Sequence, residues 1–156
     1  MLEDTKGNIW FASWNREGMC RFDGDSLTHF YPNNDLTFKR ILEDENGGLW
    51  FASRPKSVYY YDGKTVTNFT GKDGLSGITD IVKDRKGNIW FAGDQKGGLW
   101  QYDGTSFTKF SADNGLGSYG LWSIVEDRAG NLWIGTRNTG LYRFDGKTFT
   151  NFSEAP

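Results

Sequence analysis

Four aspartates in this chain each head a copy of one phrase: DTKGNIWFAS at 4–13, DENGGLWFAS at 44–53, DRKGNIWFAG at 84–93 and DRAGNLWIGT at 127–136. Carboxylates recurring at one position could ring a face of the fold and hold a cation or act as acid and base. A local use explains them more simply. An Asp ahead of x-x-Gly-Asn accepts backbone N–H groups across a turn, and the Gly supplies positive φ. Every copy needs that turn, so Asp4, Asp44, Asp84 and Asp127 read as structural, with Trp10, Trp50, Trp90 and Trp133 packing between neighbouring sheets. Other reactive groups are sparse. His29, in SLTHF, falls on an outer strand, and Cys20 reads as a filler of a half-buried strand position; a lone cysteine makes no intrachain disulfide. No His/Cys cluster has zinc spacing and no calcium loop is written, so neither metal nor cofactor is expected. No nucleophile–base pair can be named, and the expectation is no enzyme.

Binding chemistry is better sought where the copies diverge. The connections at 13–18, 53–57, 94–98 and 137–140 offer Trp14, Arg16, Arg54, Asp94, Gln95, Arg137 and Asn138. Those at 31–40, 70–80 and 111–122 add Arg40, Tyr119 and Trp122 beside the axis around which the repeats are arranged. Rings supply stacking faces, and guanidinium groups supply paired donors for carboxylates or hydroxyls. The mixture suits a sugar or a small acidic metabolite; the alternative is that these are solvated loop ends.

The elements that position these residues follow from the repeat. The tryptophans recur at intervals of about 40 residues, and the Asp-Gly pairs beginning at 23, 62, 103 and 145 keep the same period, which points to solenoid or propeller architecture. Within one period, ITDIVKD reads as a strand, RKGN as a turn, IWFAG as a short strand buried on both faces and LWQYD as a third strand. Asp103-Gly104 reads as a two-residue hairpin turn, and TSFTKF alternates polar and aromatic residues as a half-exposed outer strand does. Four antiparallel strands per repeat define a β-propeller blade, with a two-sheet sandwich as the alternative. The expected fold is all-β, one propeller unit over 1–156, with blades at 1–36, 37–76, 77–117 and 118–156. Only 37% of residues are hydrophobic, but 17% are aromatic, so the core must be built largely of rings. Charges of both signs are interspersed, with no basic run to follow a phosphate backbone and no apolar run long enough to span a bilayer, so neither nucleic acid nor membrane is an expected partner.

NGLGSYGLWSIVEDRAGNLWIGT at 114–136 resembles the two-component regulator propeller repeat: Gly-Leu, a linker, an aliphatic strand, then Asp-x-x-Gly-Asn-Leu-Trp. DGLSGITDIVKDRKGNIWFAG at 73–93 and GLYRFDGKTFTNF at 140–152 are similar to it as well; the first two repeats are looser, and Gly48 stands where the turn Asn is expected. The resemblance implies a sensor module, extracytoplasmic in many bacterial regulators, which in some cases reads carbohydrate breakdown products. A similar hairpin occurs in streptogramin lyase propellers, whose elimination chemistry uses metal and histidine; with one histidine here, lyase activity ranks third. The N-terminal MLEDTKGN does not read as a secretory signal. The chain starts mid-strand and has four repeats, which suggests a fragment, an engineered unit or a half-propeller. A homodimer closing an eight-bladed ring is the favoured assembly, ahead of a four-bladed monomer and other assemblies. A purely structural propeller fragment without a ligand is the second functional reading.

Overall fold

The computed structural model describes residues 1–12, 18–30, 37–54, 57–70, 75–94, 97–117 and 120–153, with Arg54 described by its backbone alone. Sixteen strands form four separate four-stranded antiparallel sheets, and there is no α-helix among the described residues. Blade 1 comprises β1 (Leu2–Glu3), β2 (Ile9–Ala12), β3 (Met19–Phe22) and β4 (Leu27–Phe30). Blade 2 comprises β5 (Thr37–Glu43), β6 (Leu49–Arg54), β7 (Val58–Tyr61) and β8 (Val66–Asn68). In blade 3 the strands are β9 (Ile78–Lys83), β10 (Ile89–Gly93), β11 (Gly98–Tyr102) and β12 (Phe107–Phe110). Blade 4 has β13 (Leu121–Glu126), β14 (Leu132–Thr136), β15 (Leu141–Phe144) and β16 (Phe149–Asn151). Strands follow one another in space as in sequence, so each sheet is a meander and the chain is a row of β-propeller blades.

In blades 2 and 3 the second strand is the most buried, because both of its faces are covered. All five residues of β10 are buried, which explains the near-continuous apolar run IWFAG. Strand period then sorts the rings. Trp90, paired with Val82 and Gln101, faces blade 4, whereas Phe91, paired with Ile81 and Trp100, faces blade 2. Blade meets blade through apolar clusters. One joins blades 1 and 2 around Trp10, Phe51 and Tyr59; the next joins blades 2 and 3 around Trp50, Phe91 and Trp100; the third joins blades 3 and 4 around Trp90, Ile134 and Phe144. Among the described residues no such cluster joins blade 4 to blade 1.

Bulges mark the first strands. Register shifts occur at Phe38/Arg40 and Leu121/Ser123, and one on β10 opposite β9 at Ala92/Gly93. Thr79 uses this irregularity: its hydroxyl lies 2.9 Å from the Ala92 carbonyl oxygen and 2.7 Å from the Leu121 carbonyl oxygen of the next blade, so its one hydrogen can serve either. The Asp-Gly turns differ from a simple two-residue hairpin. β11 ends at Tyr102, paired with Phe107, so residues 103–106 form the link. The Asp103 carboxylate, not its carbonyl, accepts the Ser106 and Thr105 N–H groups, each at 2.8 Å, while Gly104 takes φ 97°. The side chain satisfies the donors that a tighter backbone turn would have used. Cys20 also departs from expectation, being fully buried and not half-buried, with Sγ 3.3 Å from His29 Nδ1. His29 itself is exposed on the outer strand.

Candidate functional site

The Asp-x-x-Gly-Asn turns hold more than backbone. Asp84 Oδ1 accepts the N–H groups of Lys86 at 2.9 Å and Asn88 at 2.8 Å; Oδ2 accepts the Asn88 side-chain amide and the Trp90 indole N–H, both at 2.8 Å. Asp4 repeats the pattern with Asn8 and Trp10, and Asp127 repeats it with Asn131 and Trp133. Each carboxylate is therefore saturated by four donors and anchors the ring of its own blade. Donation from Asn131 and Trp133 holds the Asp127 carboxyl well below its ordinary value. Burial pushes Asp4 the other way, but the donors from Asn8, Trp10 and Lys6 outweigh it and the net shift is down. Carboxylates so engaged have no lone pairs directed outward for a cation or a substrate.

Blade 2 solves the same problem differently. Gly48 replaces the Asn, and Tyr60 on β7 fills the space: a Cβ added at Gly48 would lie 2.0 Å from the Tyr60 hydroxyl oxygen. Burial and the hydrogen bond to the Asp44 carboxylate push the Tyr60 phenol up to about 12. Asp44 still accepts the N–H groups of Asn46 and Gly48, both at 2.9 Å. Trp50 loses in the exchange, since its buried indole N–H has no partner. In blade 3 the position equivalent to Tyr60 is Gln101, opposite Trp90. Without the larger ring, a polar cleft of about 480 Å³ opens between blades 3 and 4 on this turn face, lined by Lys86, Trp90, Gln101, Phe110, Glu126 and Lys147 among others.

On the opposite, loop face the structure brings three of the predicted ligand residues together. Arg137 Nη1 lies 3.9 Å from Asp94 Oδ2, its guanidinium carbon sits 6.0 Å from the Trp122 ring centroid, and its backbone N–H donates to the Gly120 carbonyl at 2.8 Å. Gly120 makes this approach possible, because a Cβ there would stand 3.1 Å from Arg137 Cβ and 3.2 Å from Asp94 Oδ1. Trp122 is 58% exposed, so one charged edge and one open ring face solvent. Arg40 lies apart from this cluster; its Nε donates to Asp80 Oδ1 at 2.7 Å across the joint between blades 2 and 3. Asn138 is exposed at a strand connection. Trp14, Arg16, Gln95 and Tyr119 lie outside the described residues, as does the side chain of Arg54. The described residues hold no group of three His, Cys, Asp or Glu side chains placed to bind a metal ion.

The end sheets carry a feature of another kind. Trp10, Trp50 and Trp90 each meet, in tilted or edge-to-face contact, a ring from the outer-strand region of their own blade and a ring of the next blade. The pairs are Phe30 and Tyr61 for Trp10, Phe69 and Tyr102 for Trp50, and Phe110 and Phe144 for Trp90. Trp133 has Phe152 at 5.2 Å and, among the described residues, no ring from another blade. Around it Val125 is 57% and Phe152 50% exposed. The outward face of blade 1 shows the complementary set, with Phe22 40% and Leu27 49% exposed where Phe144 is buried and Tyr61, Tyr102, Val66, Phe107 and Phe149 are partly buried.

Taken together, four meander sheets joined by ring clusters, with saturated turns on one face and divergent connections on the other, define a module of β-propeller blades. The repeats are of a particular kind: residues 74–95 and 115–138 match the family described as Two component regulator propeller. No curated protein matches the chain. Among solved structures, the chain is similar to the extracellular domain of a hybrid two component system, BT3049 of B. thetaiotaomicron, at 20% identity and a TM-score of 0.75, covering 97% of this chain and 22% of that one. The extracellular domain of a one component system from the same organism, BT4673, is similar at 20% identity and a TM-score of 0.76, covering 97% and 24%. Virginiamycin B lyase of Staphylococcus aureus, crystallised with quinupristin in a form inactivated by replacing a histidine, is similar at 18% identity and 0.75, covering 96% and 53%. The chain thus spans under a quarter of the regulator domains and about half of the lyase. At these identities the likeness concerns the fold. No described helix is long and apolar enough to cross a membrane.

Proposed function

We propose that this chain is a non-catalytic β-propeller module of the two-component regulator sensor type, working outside the cytoplasm, whose end sheets pair with a second copy to close an eight-bladed ring. The supporting observation is the pair of outward faces: Trp133 and Phe152 at one end and Phe22 and Leu27 at the other expose what each internal joint buries. Apolar ring faces of this size seek a partner. The absence of catalysis is argued from the residues: the repeated carboxylates are saturated, and the single histidine sits on an outer strand beside Cys20. Light scattering across a dilution series tests the assembly. A mass twice the 17.7 kDa chain supports it, and a monomer at all concentrations refutes it.

The loop-face cluster favours a second element of the reading, a small ligand bearing hydroxyl or carboxylate groups. Trp122 offers a stacking face, and Arg137, held by Asp94, offers donors beside it. Tryptophan fluorescence titrated with a neutral disaccharide and with a uronic acid tests this. Saturable quenching by either, lost in Trp122→Ala and Arg137→Ala, supports the site; no saturable change with either leaves the purely structural module as the better reading.

A further inference from the structure

We infer that the second copy docks head to tail and is keyed by charge: Arg128 on blade 4 of one copy meets Glu3 on blade 1 of the other. This rests on the ring-closing reading above and specifies its joint. At two of the three internal joints, the residue after the turn aspartate of one blade meets the residue before the turn aspartate of the next. Between blades 1 and 2, Thr5 donates its N–H and hydroxyl to the Glu43 carboxylate at 2.7–3.0 Å. Between blades 3 and 4, the Arg85 N–H donates to Glu126 Oε2 at 3.0 Å, and the Arg85 guanidinium lies 3.9 Å from the same oxygen. Between blades 2 and 3 the two positions hold Glu45 and Lys83, opposite charges in the reverse order, and Glu45 lies against Gly87 of the next turn.

Two joints therefore pair a donor or cation with an acceptor or anion, and the third carries opposite charges at the same two sequence positions. The two members left over at the ends are Arg128 and Glu3, both exposed and opposite in sign. They flank the apolar faces in the same register as their internal counterparts: Arg128 follows the Asp127 that anchors Trp133, and Glu3 pairs with Ile9 beside Phe22. A blade 4 to blade 1 joint would place a cation on an anion. A blade 4 to blade 4 joint would place two Arg128 side chains on the same exposed face, without an acid from the equivalent position.

A two-fold ring contains this joint twice, so a single substitution changes both. Arg128→Glu and Glu3→Arg each convert the pair to like charges, and each should weaken self-association by roughly tenfold to a hundredfold in dissociation constant at low salt. Mixing the two variants restores opposite charges at both joints of the heterodimer. Native mass spectrometry with one variant isotope-labelled, alongside light scattering, reads the outcome. The expected result is weak homodimers and a mixture dominated by heterodimer at near wild-type affinity. Single variants that keep wild-type affinity, or a random mixture of species, overturn the charge key while leaving ring closure standing. A wild-type chain that stays monomeric overturns both.

Discussion

Trp90 and Trp133 occupy the same place in successive blades, one covered by a neighbouring blade and the other not, so paired truncations separate folding energy from assembly energy. Trp90 is 3% exposed, packs tilted against Phe110 at 5.5 Å and edge-to-face with Phe144 at 5.8 Å, and donates to Asp84 at 2.8 Å. Trp90→Ala should cost about 3–5 kcal/mol, the usual range for deleting a fully packed large ring. Trp133 keeps the equivalent bond to Asp127 and the Phe152 stack but has lost the partner across the joint, and it is only half-buried. Area removed from water then sets its cost in the isolated chain at about 1–2 kcal/mol. The order should change with concentration. If the end faces pair, the folded chain gains stability by mass action as concentration rises. Wild type should show that gain, and Trp133→Ala should not, because the joint has lost its central ring. Urea denaturation followed by far-UV circular dichroism at several chain concentrations reads both effects, since the fluorescence of the deleted ring is not needed. A Trp133→Ala chain as costly as Trp90→Ala at high dilution, or one whose stability still climbs with concentration as wild type does, would refute the reasoning.

Other expectations can be checked in the same scaffold. Gly48→Asn alone should lose roughly 1–3 kcal/mol by collision with the Tyr60 hydroxyl, whereas Gly48→Asn with Tyr60→Gln rebuilds the clasp of blade 3 and should recover most of it in thermal melts. The carboxyl groups of Asp23, Asp62, Asp103, Asp127 and Asp145 titrate below the ordinary 3.8, so their stabilisation is present above that value and is lost as pH falls from it through their lowered folded-state values. Melting temperature should therefore stay flat from neutrality down to about pH 5 and then drop; a main transition near pH 6 would point to another group. Asp80 accepts Arg40 Nε and, at 3.2 Å, the Ile124 N–H, tying three blades together, so Asp80→Ala should cost about 1–2 kcal/mol in urea while Arg40→Ala, half-exposed, costs under about 1.

The sequence made the blades legible because the repeat states the same local solution four times. Turn Asp, turn Gly, buried strand and outer strand are each decided within a few residues, and the structure places all of them where period-2 and turn chemistry require. The indole bond to Asp84 was harder to see, since it spans six residues and depends on the ring rotamer. A signal for it did exist: the one repeat with Gly48 in place of Asn is also the one with Tyr60 opposite its tryptophan, where the others have Arg21, Gln101 and Arg143. Two departures at facing positions of one blade read as an exchange of donors. Arg40 with Asp80 and Asp94 with Arg137 were not legible, because the stagger of one sheet against the next is set by packing of rings and not by any local pattern.

The same distinction explains why the ends carry more information than the middle. A residue inside a repeat is selected for a contact that its own chain completes, so its chemistry is spent. At Trp133, Phe152, Arg128, Glu3, Phe22 and Leu27 the described residues show one side of such a contact. If those positions answered only to solvent, polar residues would serve them better, since exposed large rings favour aggregation without adding stability. They keep the joint's chemistry on both sides, apolar centre and charged edge alike. Because the two ends differ, the proposed pairing with a second copy would run in one direction only, blade 4 of one copy to blade 1 of the other.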